Sequence, residues 1–104
     1  MNEVVFVRDG PDHVRLAVGD ILIIEADDNR THVHAVRRSY TVPRMLKDVL
    51  DTVGDKRIQR IHCCHAVNLE RVQAVSENGL QLGQRWLPIG RSYRQEVMKL
   101  LRLL

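Results

Sequence analysis

The sequence predicts a mainly β fold of antiparallel β-sheets, with one short internal helix and a C-terminal helix. Aromatic residues make up only 4% of the chain, so the core has to be built from Val, Ile and Leu, which favours strands. Short alternating segments are separated by clusters of turn-forming residues, and two other stretches have the apolar spacing of a helix. A length of 104 residues suits one domain, and we expect residues 1–104 to form it.

The first half of the chain is predicted to form short strands joined by tight turns. The predicted strands cover residues 4–8, 13–18, 21–24, 31–36 and 39–42. Turn residues cluster at 9–12, 27–29 and 37–38. The run at 21–24 is continuously apolar, which is typical of a strand covered on both faces.

A short helix follows these strands. Pro43 suits its first turn, and Gly54 suits its end. One apolar stripe is formed by Leu46, Val49, Leu50 and Val53. The β pattern then resumes over residues 58–75, with a bend inside it, and a turn at 77–79 leads to strands at 80–82 and 85–89.

The C-terminal segment is predicted to be an amphipathic helix. Ser92 and Gln95 have the spacing of a capping box. The apolar face contains Tyr93, Val97, Leu100, Leu101 and Leu104. This face can pack on the sheet or form a dimer interface, and the sequence leaves both open.

Charge and composition permit a nucleic-acid partner without requiring one. The net charge is +3, and 13 of the 16 basic residues are Arg, which can form forked hydrogen bonds to phosphate and guanine. A GC-rich genome would produce the same bias. The chain has no run of about 20 apolar residues and no signal-peptide pattern at Met1. We expect a cytoplasmic protein without direct membrane insertion, whose adjacent Cys63 and Cys64 stay reduced.

The segment His62-Cys63-Cys64-His65 contains residue types that bind metals. In an extended strand, alternate side chains point to opposite faces, so each face would offer only two ligands. A cysteine nucleophile would need an activating base and an oxyanion hole, and no glycine-rich elbow surrounds either thiol. We therefore expect no metal site, no cofactor and no enzymatic activity.

Three segments, in order, resemble the LytTR family of DNA-binding domains. They are GDILIIEADDN at 19–29, RIHCCHAVNLERV at 60–72 and WLPIGRSY at 86–93. The helix after Leu46 also matches the family pattern. The resemblance covers nearly the whole chain. It implies an elongated, mostly β fold that inserts loop side chains, rather than a recognition helix, into neighbouring grooves of double-stranded DNA.

The resemblance also implies which residues contact DNA. Asn68 and Arg91 fall at contacting positions, and the turn carrying Asn29, Arg30 and Thr31 falls where a further contact loop lies. Arg91 could bind a guanine edge, and Asn68 could bind adenine, bind a phosphate or satisfy turn backbone. Arg30 and Arg60 could hold phosphates.

The chain departs from the family pattern at several of these positions. Cys63-Cys64 replaces the usual Arg-Ser, His65 replaces an aromatic residue, and Gly90 replaces a Ser. Weaker DNA binding, an altered register or a redox-sensing variant are all compatible with these changes. The resemblance implies a regulator that acts as a dimer on repeated half-sites. It also implies a receiver or membrane partner protein that supplies the regulatory signal. The alternative is a LytTR-fold protein-interaction module that has lost DNA affinity.

Overall fold

The computed structural model describes residues 3–104, so Met1 and Asn2 of the predicted domain lie outside the described residues. The described chain measures 44 × 27 × 25 Å, which confirms the elongated, mainly β fold. Its elements are β1 (Val4–Asp9), β2 (Asp12–Ala17), β3 (Ile21–Asp27), β4 (Arg30–Ala35), β5 (Ser39–Val42), α1 (Leu46–Val53), β6 (Ile58–His62), β7 (His65–Asn68), β8 (Ala74–Val75), β9 (Gly79–Leu82), β10 (Arg85–Pro88) and α2 (Arg94–Leu101).

A five-stranded antiparallel sheet, in the order β5-β4-β3-β7-β6, forms the middle layer. A hairpin of β1 and β2 packs on one face with α1, and a three-stranded sheet, β10-β9-β8, packs on the other with α2. A hydrophobic core therefore lies on each face of the five-stranded sheet. Strand β3 contributes to both cores, because Ile24 packs on the α1 side and Ile23 on the α2 side. The prediction that this strand is covered on both faces is confirmed.

The two helices begin later than the sequence predicts. Helix α1 begins at Leu46, so Pro43 lies before its first turn; it ends as predicted at Gly54, which has a left-handed φ of 52°. Residues Arg91–Tyr93 form a 3-10 turn ahead of α2. Ser92 lies inside that turn rather than at a helix N-cap and makes no capping hydrogen bond, so the predicted capping box is wrong.

Helix α2 packs on the second core mainly through Val97, which is 1% exposed. Tyr93, Met98 and Leu101 pack beside it, which confirms the sheet-packing interpretation of this face. Leu100 and Leu104 of the predicted stripe stay exposed. None of the helices formed by residues 3–104 is long and apolar enough to cross a membrane.

Candidate nucleic-acid interface

Two hairpin turns lie at the same end of the five-stranded sheet. The β3–β4 turn consists of Asp28 and Asn29, with Asp28 in the left-handed region at φ 59°. The β6–β7 turn consists of Cys63 and Cys64. Strands β3 and β7 are antiparallel neighbours, and the Ala26 amide donates to the Cys64 carbonyl at 2.8 Å. The end of β3 and the start of β7 therefore place both turns side by side.

A third segment joins the same end from the outer side of β6. The Gly90 amide donates to the Ile61 carbonyl at 2.7 Å, which places Arg91 next to the end of β6. Strands in a sheet are about 4.8 Å apart, so the two hairpin turns are separated by about 10 Å and Gly90 lies about 7 Å further along. We call these three segments, residues 27–30, 62–65 and 90–91, the tip surface.

Arg91 is the most available cation of the tip surface. Its side chain is exposed and has no hydrogen bond or ion pair within residues 3–104. By contrast, Arg57 and Arg71, which lie toward the opposite end of the sheet, are paired with Asp55 at 2.9 Å and Asp20 at 3.5 Å. The Arg91 guanidinium keeps all its donors for an external partner.

Arg30 and Asn29 also lie on the tip surface, and both are exposed. The Arg30 guanidinium contacts the Asp27 carboxylate at 3.3 Å, and His32 hydrogen-bonds the same carboxylate at 2.8 Å. The hydrogen bond from His32 has the largest effect on the pKa of Asp27; together with the charge of Arg30 it outweighs desolvation and holds this pKa below its usual value. Because this ion pair is exposed, it contributes little to stability.

Arg60 supports the β6–β7 turn. Its guanidinium donates to the Cys63 carbonyl at 2.6 Å and to the His62 carbonyl at 3.3 Å. The side chain is half-buried, so it braces the turn and places a positive charge beside the two thiols.

Asn68 does not lie on the tip surface. It ends β7, whereas the tip lies at the start of that strand, three residues or about 10 Å away. Its side chain is 0% exposed. The amide group donates to Ile21 and Gly19 carbonyls at 3.0 and 3.4 Å, and its oxygen accepts from the Glu70 amide at 3.0 Å. In this geometry the Asn68 side chain has the turn-satisfying role, and its burial does not support the predicted DNA contact.

Thr31 is also turned away from the tip surface. Its side chain is 0% exposed because it points to the α1 side of β4, and its hydroxyl donates to the Arg44 carbonyl at 2.7 Å. Thr31 was predicted to contact DNA because it follows Asn29 and Arg30 in the chain. The sequence could not show that its side chain lies on the buried face of β4. We therefore leave Asn68 and Thr31 out of the candidate interface.

A cluster centred on Glu25, which the sequence analysis missed, lies behind the tip surface on the α2 face. The carboxylate is contacted by His34 at 3.0 Å, His65 at 2.9 Å and Arg85 at 3.2 Å. Partial burial acts to raise the pKa of Glu25, but the three hydrogen bonds outweigh it and lower the pKa to about 2. His32 and His34 lie on the same strand face because they are two residues apart, but this spacing does not link His34 to Glu25.

The tight turn also brings together side chains that an extended strand would separate. The ligand atoms of His62, Cys63 and Cys64 all lie within 4.8 Å of one another. An extended strand through residues 62–65 would divide these ligands between two faces, whereas residues 63 and 64 form the turn of a hairpin, so the expected absence of a metal site does not follow from alternation. A hydrogen bond with the Cys63 thiol, followed by burial, raises the pKa of Cys64.

Comparisons with known proteins agree with this architecture. The family model described as the LytTr DNA-binding domain matches residues 12–102, and the chain belongs to this family of DNA-binding domains. A solved structure from Bacillus cereus, the LytTr DNA-binding domain of a protein described as a methyl-accepting/DNA response regulator, superposes with a TM-score of 0.79 at 20% identity. The match covers 97% of this chain and 98% of that one, and it supports the fold. No curated protein matches the sequence.

Proposed function

We propose that this domain binds double-stranded DNA sequence-specifically through the side chains of the tip surface, as a transcriptional regulator or its output domain. Membership of a DNA-binding, non-enzymatic family supports this function. The observation that carries the proposal is the free guanidinium of Arg91, exposed at the end of the sheet where two hairpin turns also project.

The proposed roles follow from the chemistry of the exposed groups. Arg91 reads guanine through a forked hydrogen bond to O6 and N7, and Asn29 contacts a base edge or phosphate. Arg30 and the remaining donors of Arg60 hold phosphates. The tip surface spans about 17 Å by strand spacing, which exceeds the major-groove width of about 12 Å. Side chains at its two ends can therefore enter neighbouring grooves.

We further propose that two copies bind repeated half-sites. A span of about 17 Å covers about half a helical turn, so one copy reads few base pairs, and a second copy about one turn away would add specificity. A receiver or membrane partner protein would supply the regulatory signal. The alternative role as a protein-interaction module is supported by the replacement of the usual Arg-Ser at Cys63-Cys64, which removes two polar groups from the tip surface.

The first test is selection of bound sequences from a random duplex library, followed by anisotropy titrations at several salt concentrations. We expect a recovered motif, spaced as a repeat. Arg91→Ala should weaken binding to that motif by about 1–3 kcal/mol and relax preference at one base pair. Arg30→Ala should weaken binding to all sequences alike and reduce the salt slope by about one unit.

Arg37→Ala is the matched control. Arg37 is also exposed and without an ion pair in the described chain, but it lies in the β4–β5 turn at the opposite end of the sheet. Arg37→Ala removes one positive charge, as Arg91→Ala does, and should leave the preference for the recovered DNA motif unchanged. If Arg37→Ala and Arg91→Ala weaken binding equally, net charge alone explains the affinity. If no motif is recovered, the interaction-module alternative is favoured.

A further inference from the structure

The β6–β7 turn has the features of a metal site that neither the family nor the proposed DNA-binding role requires. The Cys63 and Cys64 sulfurs are 3.6 Å apart, and the Cys63 sulfur is 3.5 Å from His62 Nδ1. In a tetrahedral zinc site, bond lengths of about 2.3 Å to sulfur and about 2.0 Å to nitrogen put ligand atoms about 3.8 and 3.5 Å apart. The turn thus holds two of its ligand pairs at almost the separation that zinc requires.

The lone pair of His62 Nδ1 faces this group. The Cys64 backbone amide donates to Nδ1 at 3.2 Å, so Nδ1 is the unprotonated nitrogen of the ring. Neutral imidazole with a lone pair directed toward two sulfurs is the form that binds a metal. An incoming cation would take over this lone pair from the amide.

His65 offers a fourth ligand. It pairs with His62 across the hairpin, and the two ring centroids are 5.7 Å apart. Its Nε2 donates to the Glu25 carboxylate at 2.9 Å, which leaves the lone pair on Nδ1. That Nδ1 atom is buried and has no hydrogen-bond partner in the described chain. In metal-binding histidines, the N–H of the nitrogen that does not bind the metal is commonly held by a carboxylate in this way.

The backbone of the turn is already fixed. The carbonyls of His62 and Cys63 accept from Arg60, and the Cys64 carbonyl accepts from the Ala26 amide. Ordering the turn therefore costs little when an ion binds.

We propose that His62, Cys63, Cys64 and His65 form a site for a zinc-like divalent cation. The ligand set is two thiolates and two imidazoles, which is a common set for structural zinc. His65 lies outside the group of three residues whose ligand atoms are within 4.8 Å of one another, so a side-chain movement would have to bring its Nδ1 to the ion. The two thiols lose their protons to solvent when the ion binds, so the bound site is electrically neutral.

The test is binding of Zn²⁺ to the reduced, full chain, measured by competition with a chromophoric chelator, with Co²⁺ as the spectroscopic probe. We expect one equivalent, a thiolate-to-cobalt charge-transfer band and the intense d–d bands of tetrahedral cobalt. Cys63→Ser combined with Cys64→Ser should lower affinity by more than about 100-fold, because both anionic ligands are lost. His65→Gln should lower it by about 10-fold or more and change the d–d bands.

His13→Gln is the control, since His13 is an exposed histidine in the β1–β2 hairpin, away from the turn. It should bind as the parent chain does. Absence of stoichiometric binding would overturn the proposal, as would binding that survives the double cysteine variant. Unchanged cobalt spectra in His65→Gln would overturn the fourth ligand. In the absence of metal, the thermal melt of the double cysteine variant should match that of the parent, whereas His65→Gln loses the hydrogen bond to Glu25 and is checked for a folded circular dichroism spectrum before metal is added. None of these readouts depends on DNA.

Discussion

Replacement of Asn68 by Ala separates a structural role from a DNA contact. The side chain is 0% exposed and makes three hydrogen bonds, of which those to Ile21 and from Glu70 are both 3.0 Å long. Alanine leaves the Ile21 carbonyl and the Glu70 amide without these partners. Each buried polar group left without a partner costs about 1–3 kcal/mol. Glu70 is exposed, so water can replace part of the hydrogen bond that its amide loses.

We therefore expect Asn68→Ala to lower the free energy of unfolding by about 2–4 kcal/mol. For a domain of this length, that corresponds to a fall in Tm of about 10–25 °C. The assay is urea unfolding followed by circular dichroism, with a thermal melt as a second measurement. Asn29→Ala, in an exposed turn, should change stability by less than about 0.5 kcal/mol.

Asn68→Asp gives a further check, because it keeps the size of the side chain. It replaces the amide donor by a carboxylate facing two carbonyl oxygens, and it should destabilise the domain at least as much as alanine. A loss below about 0.5 kcal/mol in Asn68→Ala would refute the structural role. Loss of DNA site preference in a variant that remains folded would instead place Asn68 at the DNA.

Two further predictions concern buried or partly buried polar groups. Thr31→Val should cost about 1 kcal/mol in urea unfolding, because it keeps the shape but leaves the Arg44 carbonyl without its hydroxyl donor, while Thr52→Val, at an exposed position, should be near neutral. If both cost the same, the hydrogen bond contributes nothing. The pKa of Glu25 is about 2 in the folded chain and ordinarily 4.5, so its carboxylate stabilises the fold above about pH 4.5, and this stability is lost as the pH falls toward 2. Glu25→Gln should lower stability near neutral pH by about 1–2 kcal/mol, after allowance for solvent screening, and flatten the pH dependence between 4.5 and 2. If the stability of Glu25→Gln depends on pH between 4.5 and 2 as that of the parent chain does, the stabilising role of the Glu25 carboxylate is contradicted.

Local chemistry was enough to predict most of the elements. Alternating apolar residues and turn clusters predicted the hairpins, and the continuous run at 21–24 predicted that β3 is covered on both faces. Gly54 ends α1 as predicted, because glycine readily adopts the left-handed conformation needed there. Ser92 misled the prediction, because the capping-box pattern does not reveal that a 3-10 turn precedes α2.

The candidate site was only partly predictable. The resemblance to the LytTR family indicated Asn29, Arg30, Arg60 and Arg91, all of which the fold places on or beside the tip surface. It could not show that Asn68 lies at the far end of β7, since position along a strand decides which end of the sheet a residue reaches.

By itself, the sequence determined the β-rich class, the order of hairpins and helices, and the family, because these depend on local periodicity, turn chemistry and ordered motifs. Only the tertiary structure decided the burial of Asn68 and Thr31, the convergence of Glu25 with His34, His65 and Arg85, and the approach of Cys63 and Cys64 to His62. These depend on strand register and on one tight turn. A shift of one residue in a strand reverses the face of every side chain, and a turn brings together groups that an extended strand keeps apart.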